Sequence, residues 1–125
     1  MTSYSRPSAM LPVPRGTPDS GDGSWVEACG VSDVEVEDVI GFEWRGHSFA
    51  IYRSPTDTFH ATDGTCTHEH AELADGLVMG DTIECPKHNG RFNYKTGEAK
   101  RAPVCVNLRT YPVKIVGDKV LVNIG

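Results

Sequence analysis

The sequence lacks any apolar run that approaches the roughly 18–20 residues needed to cross a bilayer. Its first residues, MTSYSRPSAMLPVP, also lack the apolar stretch of a secretory signal, so we expect a cytoplasmic protein. Positive charge is in the minority, because 12 Lys and Arg stand against 17 Asp and Glu, for a formal net charge of −5. Nucleic acids and anionic membranes attract the opposite sign, so neither is an expected partner.

Two common catalytic signatures are also missing. The sequence contains no Gly-rich phosphate loop, and no G-x-S-x-G or other nucleophile motif surrounds its serines. The residues therefore give no support for nucleotide chemistry or hydrolysis.

The composition divides the chain into an arm and one domain. Residues 1–23 are rich in Ser, Pro, Gly, Thr and Asp, a composition that favours a flexible N-terminal arm. Residues 24–125 have the length of a single domain. There, short runs of β-branched and aromatic residues alternate with turn signals, which predicts an all-β protein, an antiparallel β-sandwich or barrel with a site built from loops. The predicted strands are Trp25–Cys29, Val36–Trp44, His47–Arg53, Phe59–Thr62, Leu77–Met79, Thr82–Glu84, Arg91–Asn93, Arg109–Ile115 and Lys119–Asn123.

Turn signals separate several of these strands. The pairs Arg45-Gly46, Gly80-Asp81 and Gly117-Asp118 each lie between two strand-like runs and predict hairpin turns. Only the segment 70–74 resembles a brief helical turn.

The chemistry of the chain is concentrated in two short segments, Cys66-Thr67-His68 and Cys85-Pro86-Lys87-His88. Sixteen residues separate His68 from Cys85, and they contain turn signals and two short strand-like runs. A hairpin there would bring the two segments side by side, so that two thiolates and two imidazoles converge on one small volume.

Two thiolates and two imidazoles suit either a tetrahedral zinc or an iron–sulfur cluster. In a Rieske 2Fe–2S centre, two Cys bind one iron and two His bind the other. A zinc finger usually pairs its two Cys in one local turn and its two His in another. Each segment here mixes one Cys with one His, which argues against a zinc finger without excluding zinc.

The segments CTHEHAELADG and ECPKHNGRFNYKTGEA, followed by Ala102-Pro103, resemble the Rieske ferredoxins of bacterial aromatic-ring-hydroxylating oxygenase systems. The resemblance covers roughly residues 25–125 and implies a Rieske fold with a small cluster-binding subdomain. It also implies one 2Fe–2S cluster, with Cys66 and Cys85 on the inner iron and His68 and His88 on the outer iron. Pro103 would lie in a third loop that helps to cover the cluster.

The resemblance further implies a function and partners. The chain would be an electron carrier, not an enzyme, and would pass single electrons from a flavin-containing ferredoxin reductase to a terminal aromatic-ring-hydroxylating oxygenase. We expect a monomer, since such a carrier exposes its cluster to two partners in turn.

The sequence departs from the respiratory and photosynthetic Rieske proteins. Their additional cysteine pair is replaced by Ala71 and Lys87, and the Ser and Tyr hydroxyls near their cluster sulfurs are replaced by Gly90 and Phe92. Hydrogen bonds to the sulfurs favour the reduced cluster. Their loss predicts a reduction potential near the low end of the Rieske range.

The other Cys and His residues have simpler interpretations. His70 is interpreted as a surface residue, His47 and His60 as strand histidines, and Cys29 and Cys105 as buried thiols.

Three other functions compete with the electron carrier. A Rieske oxygenase α-subunit needs a catalytic domain of well over 100 further residues, roughly five times the length of the segment after Pro103. A small subunit related to nitrite reductase shares the fold, but many such subunits lack the four ligands. A structural zinc module is the remaining alternative.

Overall fold

β-Strands provide nearly all the regular structure in residues 24–67, 71–87, 90–101 and 106–124, the ranges that the computed structural model describes. Two short 3₁₀ turns, Val31–Asp33 and Leu73–Asp75, interrupt them, and no helix in these ranges is long and apolar enough to span a membrane. The strands are β1 Trp25–Gly30, β2 Asp38–Trp44, β3 His47–Arg53, β4 Phe59–Asp63, β5 Leu77–Met79, β6 Thr82–Glu84, β7 Arg91–Asn93, β8 Ala99–Arg101, β9 Thr110–Tyr111, β10 Val113–Val116 and β11 Lys119–Asn123.

Apart from shifts of one or two residues at strand ends, the observed strands depart from the predicted ones in two places. The run Arg109–Ile115 is divided at Pro112 into β9 and β10, which pair with different strands. Proline has no N–H to donate to a ladder, so the break falls there. Strand β8, Ala99–Arg101, was not predicted, because Ala and Lys have low β-propensity and its pairing with β7 creates the strand. The predicted arm, residues 1–23, lies outside the described residues.

The described residues divide into two compact units. One contains the residues up to Ser32 and those from Pro112 onward, and it holds a three-stranded antiparallel sheet in the order β1-β11-β10. On β11, Val120 and Val122 are fully buried while Leu121 between them is half-buried, which is the alternation of a strand with one face in the core. Cys29 lies on β1 of this unit.

The other unit, Asp33–Tyr111, holds two four-stranded antiparallel sheets, ordered β2-β3-β4-β9 and β5-β6-β7-β8. The first sheet contains the predicted hairpin at Arg45-Gly46. Trp44 pairs with His47, and both turn residues have positive φ, 52° and 82°, as a two-residue type I′ turn requires. The predicted turn at Gly80-Asp81 likewise joins β5 to β6.

The core of this second unit draws on both of its sheets. Tyr52 from β3 and Tyr94, which follows β7, stack with ring centroids 4.6 Å apart and planes 6° apart. Both are fully buried. The core residues are Val39, Ala50, Tyr52, Cys66, Leu73, Val78, Ile83, Cys85, Phe92, Tyr94 and Leu108. The predicted all-β antiparallel architecture is confirmed, and both predicted cysteine ligands lie in its core.

Candidate metal centre

The first cysteine loop begins directly after β4. Thr65 forms an antiparallel bridge with Glu72, and the N–H of Leu73 donates to the carbonyl of Gly64 over 2.8 Å. Inside this bridge, the N–H of Cys66 donates to the carbonyl of Ala71 over 2.8 Å. Cys66 is therefore the first residue of a loop whose two ends are held together by backbone hydrogen bonds.

The second cysteine loop has the same construction at the end of the β6–β7 hairpin. Glu84 pairs with Arg91 as the last pair of the ladder. Beyond it, the N–H of Cys85 donates to the carbonyl of Gly90 over 2.7 Å. In both loops the cysteine N–H bonds the carbonyl five residues later, so each cysteine occupies the same position at the loop entrance.

The fold brings the two predicted cysteine ligands into one core. Cys66 and Cys85 are each 1% exposed and belong to the same cluster of buried side chains. The predicted ligands His68 and His88 stand in sequence within the two loops, but they lie outside the described residues, as does Pro103. Among the described residues, no three His, Cys, Asp or Glu side chains gather into a metal site.

The surroundings of the two cysteines fit a metal–thiolate centre. The two buried cysteines belong to a core cluster that also contains Leu73 and Ile83, and in an apolar environment an isolated thiolate is costly. A bound metal compensates the thiolate charge, since thiolates are the form in which Cys binds metals. The donor chemistry and burial of Cys66 and Cys85 are therefore compatible with the inner-iron role that the family resemblance implies for them.

The carboxylate of Glu72, at the end of the first loop, has two hydroxyl neighbours. Ser48 Oγ donates to one oxygen of Glu72 over 2.7 Å, and Thr65 Oγ1 approaches the other at 3.5 Å. Gly64 is required beside them, because a Cβ there would lie 2.9 Å from the backbone of Phe49 and closer still to Ser48 Oγ.

The first loop is also tied to the segment that follows Pro103. Thr67 Oγ1 donates to the carbonyl of Val106 over 2.8 Å. Val106 itself is 59% exposed. This bond connects residues 39 positions apart, so sequence patterning alone offered no signal for it.

Glu84 and Arg91, the last strand pair before the second cysteine loop, form a long ion pair at the base of that loop. A terminal nitrogen of Arg91 is 3.8 Å from a carboxylate oxygen of Glu84. Gly76 makes room there, because a Cβ at that position would collide with the carbonyl oxygen of Glu84. The alternating pattern of residues in β6 and β7 could have suggested that Glu84 pairs with Arg91 across the hairpin. The need for a glycine at position 76 depends on tertiary contacts.

Asp63, at the end of β4, accepts two hydrogen bonds that sequence analysis did not anticipate. Its Oδ1 lies 2.7 Å from His47 Nε2 and also accepts the hydroxyl of Tyr111. Burial and this carboxylate together raise the pKa of Tyr111, with burial the larger cause. His47 is on strand β3 as predicted, and it also has a carboxylate partner.

The tyrosines of the core have their hydroxyls bonded within the protein. Tyr94 donates to the carbonyl of Gly80 over 2.6 Å, and the hydroxyl of Tyr52 lies 2.8 Å from Thr62 Oγ1. Burial, followed by the charges of Asp81 and Glu37, raises the pKa of Tyr94 to about 12. Both phenols are therefore neutral at physiological pH.

Comparison with known proteins identifies the family. A family model described as the Rieske [2Fe-2S] domain matches residues 24–112. This chain belongs to the Rieske [2Fe–2S] domain family.

Relatives within this Rieske family are ferredoxin components. The chain is 43% identical over 101 residues to the ferredoxin component of the naphthalene 1,2-dioxygenase system of Pseudomonas putida, covering 81% of this chain and 96% of that protein. It is 36% identical over 96 residues to the ferredoxin component of biphenyl 2,3-dioxygenase of Rhodococcus jostii, covering 77% and 89%.

A solved structure of carbazole 1,9a-dioxygenase, a complex of reduced oxygenase and oxidized ferredoxin, contains a chain with the same fold. The TM-score is 0.76 at 36% identity, covering 82% of this chain and 94% of that one. These similarities confirm the predicted Rieske fold and its single 2Fe–2S cluster. They also confirm the prediction that the protein is an electron carrier and not an enzyme. The cluster supplies a one-electron redox centre.

Proposed function

We propose that this Rieske protein carries single electrons from a flavin-containing ferredoxin reductase to a terminal aromatic-ring-hydroxylating oxygenase. The observation that carries the proposal is the pair of matching loops whose entrance cysteines, Cys66 and Cys85, meet in one buried core. The relatives named as ferredoxin components of dioxygenase systems support the oxygenase as the electron acceptor.

The proposed ligand set is Cys66, His68, Cys85 and His88. The two thiols are buried, whereas each histidine follows its cysteine by two or three residues within a loop. This spacing lets the cysteine of each loop reach one iron and the histidine reach the other. We propose a cytoplasmic monomer, and light scattering of the purified protein tests the oligomeric state.

A low reduction potential follows from the hydroxyls around the loops. Thr65, Thr67 and Tyr94 are each hydrogen-bonded to a protein oxygen in the part of the chain that the structure describes. Gly90 and Phe92 have no hydroxyl to offer. With few hydroxyl donors left for the cluster sulfurs among the described residues, the potential should lie at the lower limit for Rieske centres, about −150 mV.

The first test combines visible absorption, the EPR spectrum of the dithionite-reduced protein, and assays of iron and acid-labile sulfide. Two iron and two sulfide per chain, with an average g value well below that of the free electron, support the four ligands. A colourless, EPR-silent protein that contains one zinc after anaerobic purification contradicts the electron-carrier function.

Reconstitution tests the partners. The purified protein is mixed with NADH and the reductase and oxygenase of the naphthalene 1,2-dioxygenase system. Naphthalene oxidation that depends on this protein supports both partners. Direct photochemical reduction of this protein bypasses the reductase, so oxygenase turnover that occurs only then overturns the proposed reductase and retains the oxygenase.

A further inference from the structure

We propose that Arg91 raises the reduction potential of the centre by placing a fixed positive charge at the base of the second cysteine loop. The inference rests on the proposed function, because it needs a redox centre between the two loops. It assigns to Arg91 a part in setting the driving force for electron transfer.

The position of Arg91 is fixed by the β6–β7 hairpin. Arg91 follows Gly90, whose carbonyl accepts the N–H of Cys85, and it pairs directly with Glu84, the residue before Cys85. Directly paired residues of an antiparallel ladder have Cα atoms about 4.5–5.5 Å apart. Arg91 is therefore one residue away from the backbone bond that closes the loop around a predicted ligand.

The charge of Arg91 is only partly compensated. Its Nε is buried and has no hydrogen-bond partner among the described residues. The carboxylate of Glu84 lies 3.8 Å from the guanidinium, beyond hydrogen-bond distance, and the two side chains are 35% and 17% exposed. Limited exposure weakens the screening that water and salt give to a surface charge.

The next strand adds a second cation. On its other side, Arg91 pairs with Arg101 of β8 in the ladder. Like charges directly opposite each other repel, so Arg101 provides no compensation. Glu84, Arg91 and Arg101 are thus directly paired neighbours on β6, β7 and β8, and they provide one carboxylate and two guanidinium groups.

A fixed positive charge near a redox centre favours the reduced state, because that state is more negative by one electron. The guanidinium stays protonated at all accessible pH values. The contribution of Arg91 to the potential is therefore independent of pH.

The experiment compares midpoint potentials of four variants of the cluster-loaded protein: R91Q, R91K, E84Q and K95Q. The matched control is K95Q, because Lys95 also pairs with a carboxylate, Asp81 at 3.1 Å, but lies beyond the opposite end of β7. We expect R91Q to lower the potential, R91K to stay near the wild type, E84Q to raise it, and K95Q to leave it unchanged. Raising the salt concentration should shrink these shifts only slightly.

Iron, sulfide and EPR g values are recorded for every variant, so that a loss of cluster is distinguished from a change in potential. An R91Q protein with full cluster content, unchanged g values and the wild-type potential overturns the inference. If R91Q does not retain its cluster, E84Q decides, because a wild-type or lower potential in that variant also overturns it. A wild-type protein without iron would instead contradict the proposed function.

Discussion

The two cysteine loops share a backbone design but differ in the charges at their bases. Each begins with a buried cysteine whose N–H bonds the carbonyl five residues later. The base of the first loop has an exposed carboxylate, Glu72, next to neutral hydroxyls. The base of the second has Arg91 next to the carboxylate of Glu84, and the Nε of Arg91 is buried without a hydrogen-bond partner among the described residues. In our proposal, the backbone places the two cysteines, and the side chains at the loop bases adjust the electrostatics.

The largest expected effect concerns the feature that the two loops share. Replacing either entrance cysteine, as in C66S or C85S, should abolish cluster binding, because each thiolate is proposed to bind the inner iron. Iron content and visible absorption check this. C29S is the control, since Cys29 lies on β1 in the other unit, and it should retain the full iron content. Wild-type iron in C66S would remove the first loop from the proposed site.

A smaller effect, on stability, should follow from adding a methyl group at Gly64 or Gly76, where the base of each loop has no room for a Cβ. G64A would push a methyl group against the backbone of Phe49, and G76A would push one against the carbonyl of Glu84. Overpacking of this kind costs about 1–3 kcal/mol. We expect both variants to unfold at lower temperature, as followed by circular dichroism. G41A is the control, since its new Cβ would meet only Ala74 Cβ at 3.4 Å. Equal melting of G64A and G41A would show that the first loop tolerates the methyl group.

The tyrosine hydroxyls provide a third comparison. Y111F removes a hydrogen bond to the carboxylate of Asp63 and should cost about 1.5–3 kcal/mol, whereas Y94F removes one to a backbone carbonyl and should cost about 0.5–1.5 kcal/mol. Thermal unfolding of the two variants at neutral pH checks the order. If Y94F were the more destabilised variant, the carboxylate bond would not be the stronger one.

Tyr94 also predicts a pH dependence of stability. Its pKa rises from 10.0 to about 12 on folding, so its contribution is complete below pH 10 and is lost as the pH rises toward 12, where the unfolded chain ionises first. The wild type should therefore lose stability over this range, and Y94F should lose less. Unfolding measured across this range checks the difference. An identical decline in both proteins would assign the effect to other groups.

The smallest expected effect concerns the carboxylate of the first loop. E72Q removes a negative charge beside Cys66 and should raise the reduction potential, while the amide oxygen still accepts from Ser48. Because Glu72 is exposed, salt should suppress this shift more strongly than it suppresses the shift of R91Q. Redox titrations at low and high salt check it. A salt-independent shift in E72Q would mean that the two loop bases do not differ in screening.

Much of the fold was predictable because local patterns determine it. The boundaries of β3, β5, β6, β7 and β11 agree with the sequence-based strands. The turns at Arg45-Gly46 and Gly80-Asp81 were also predictable, since each contains a glycine, which adopts positive φ without steric cost. A 3₁₀ turn at Leu73–Asp75 overlaps the end of the helical turn expected at residues 70–74. Strand β8 was missed because its residues have little strand preference of their own.

The sequence by itself indicated the fold class and a Cys/His metal centre, either zinc or iron–sulfur, because residue types, their spacing and a two-residue alternation are local properties. It placed one Cys and one His in each of two segments and indicated hairpins around them. Only the tertiary structure decided that Cys66 and Cys85 share one core, that Thr67 bonds Val106, and that the Nε of Arg91 is buried. These features depend on which strands pair and in what register, and the contacting residues lie up to 39 positions apart in the chain.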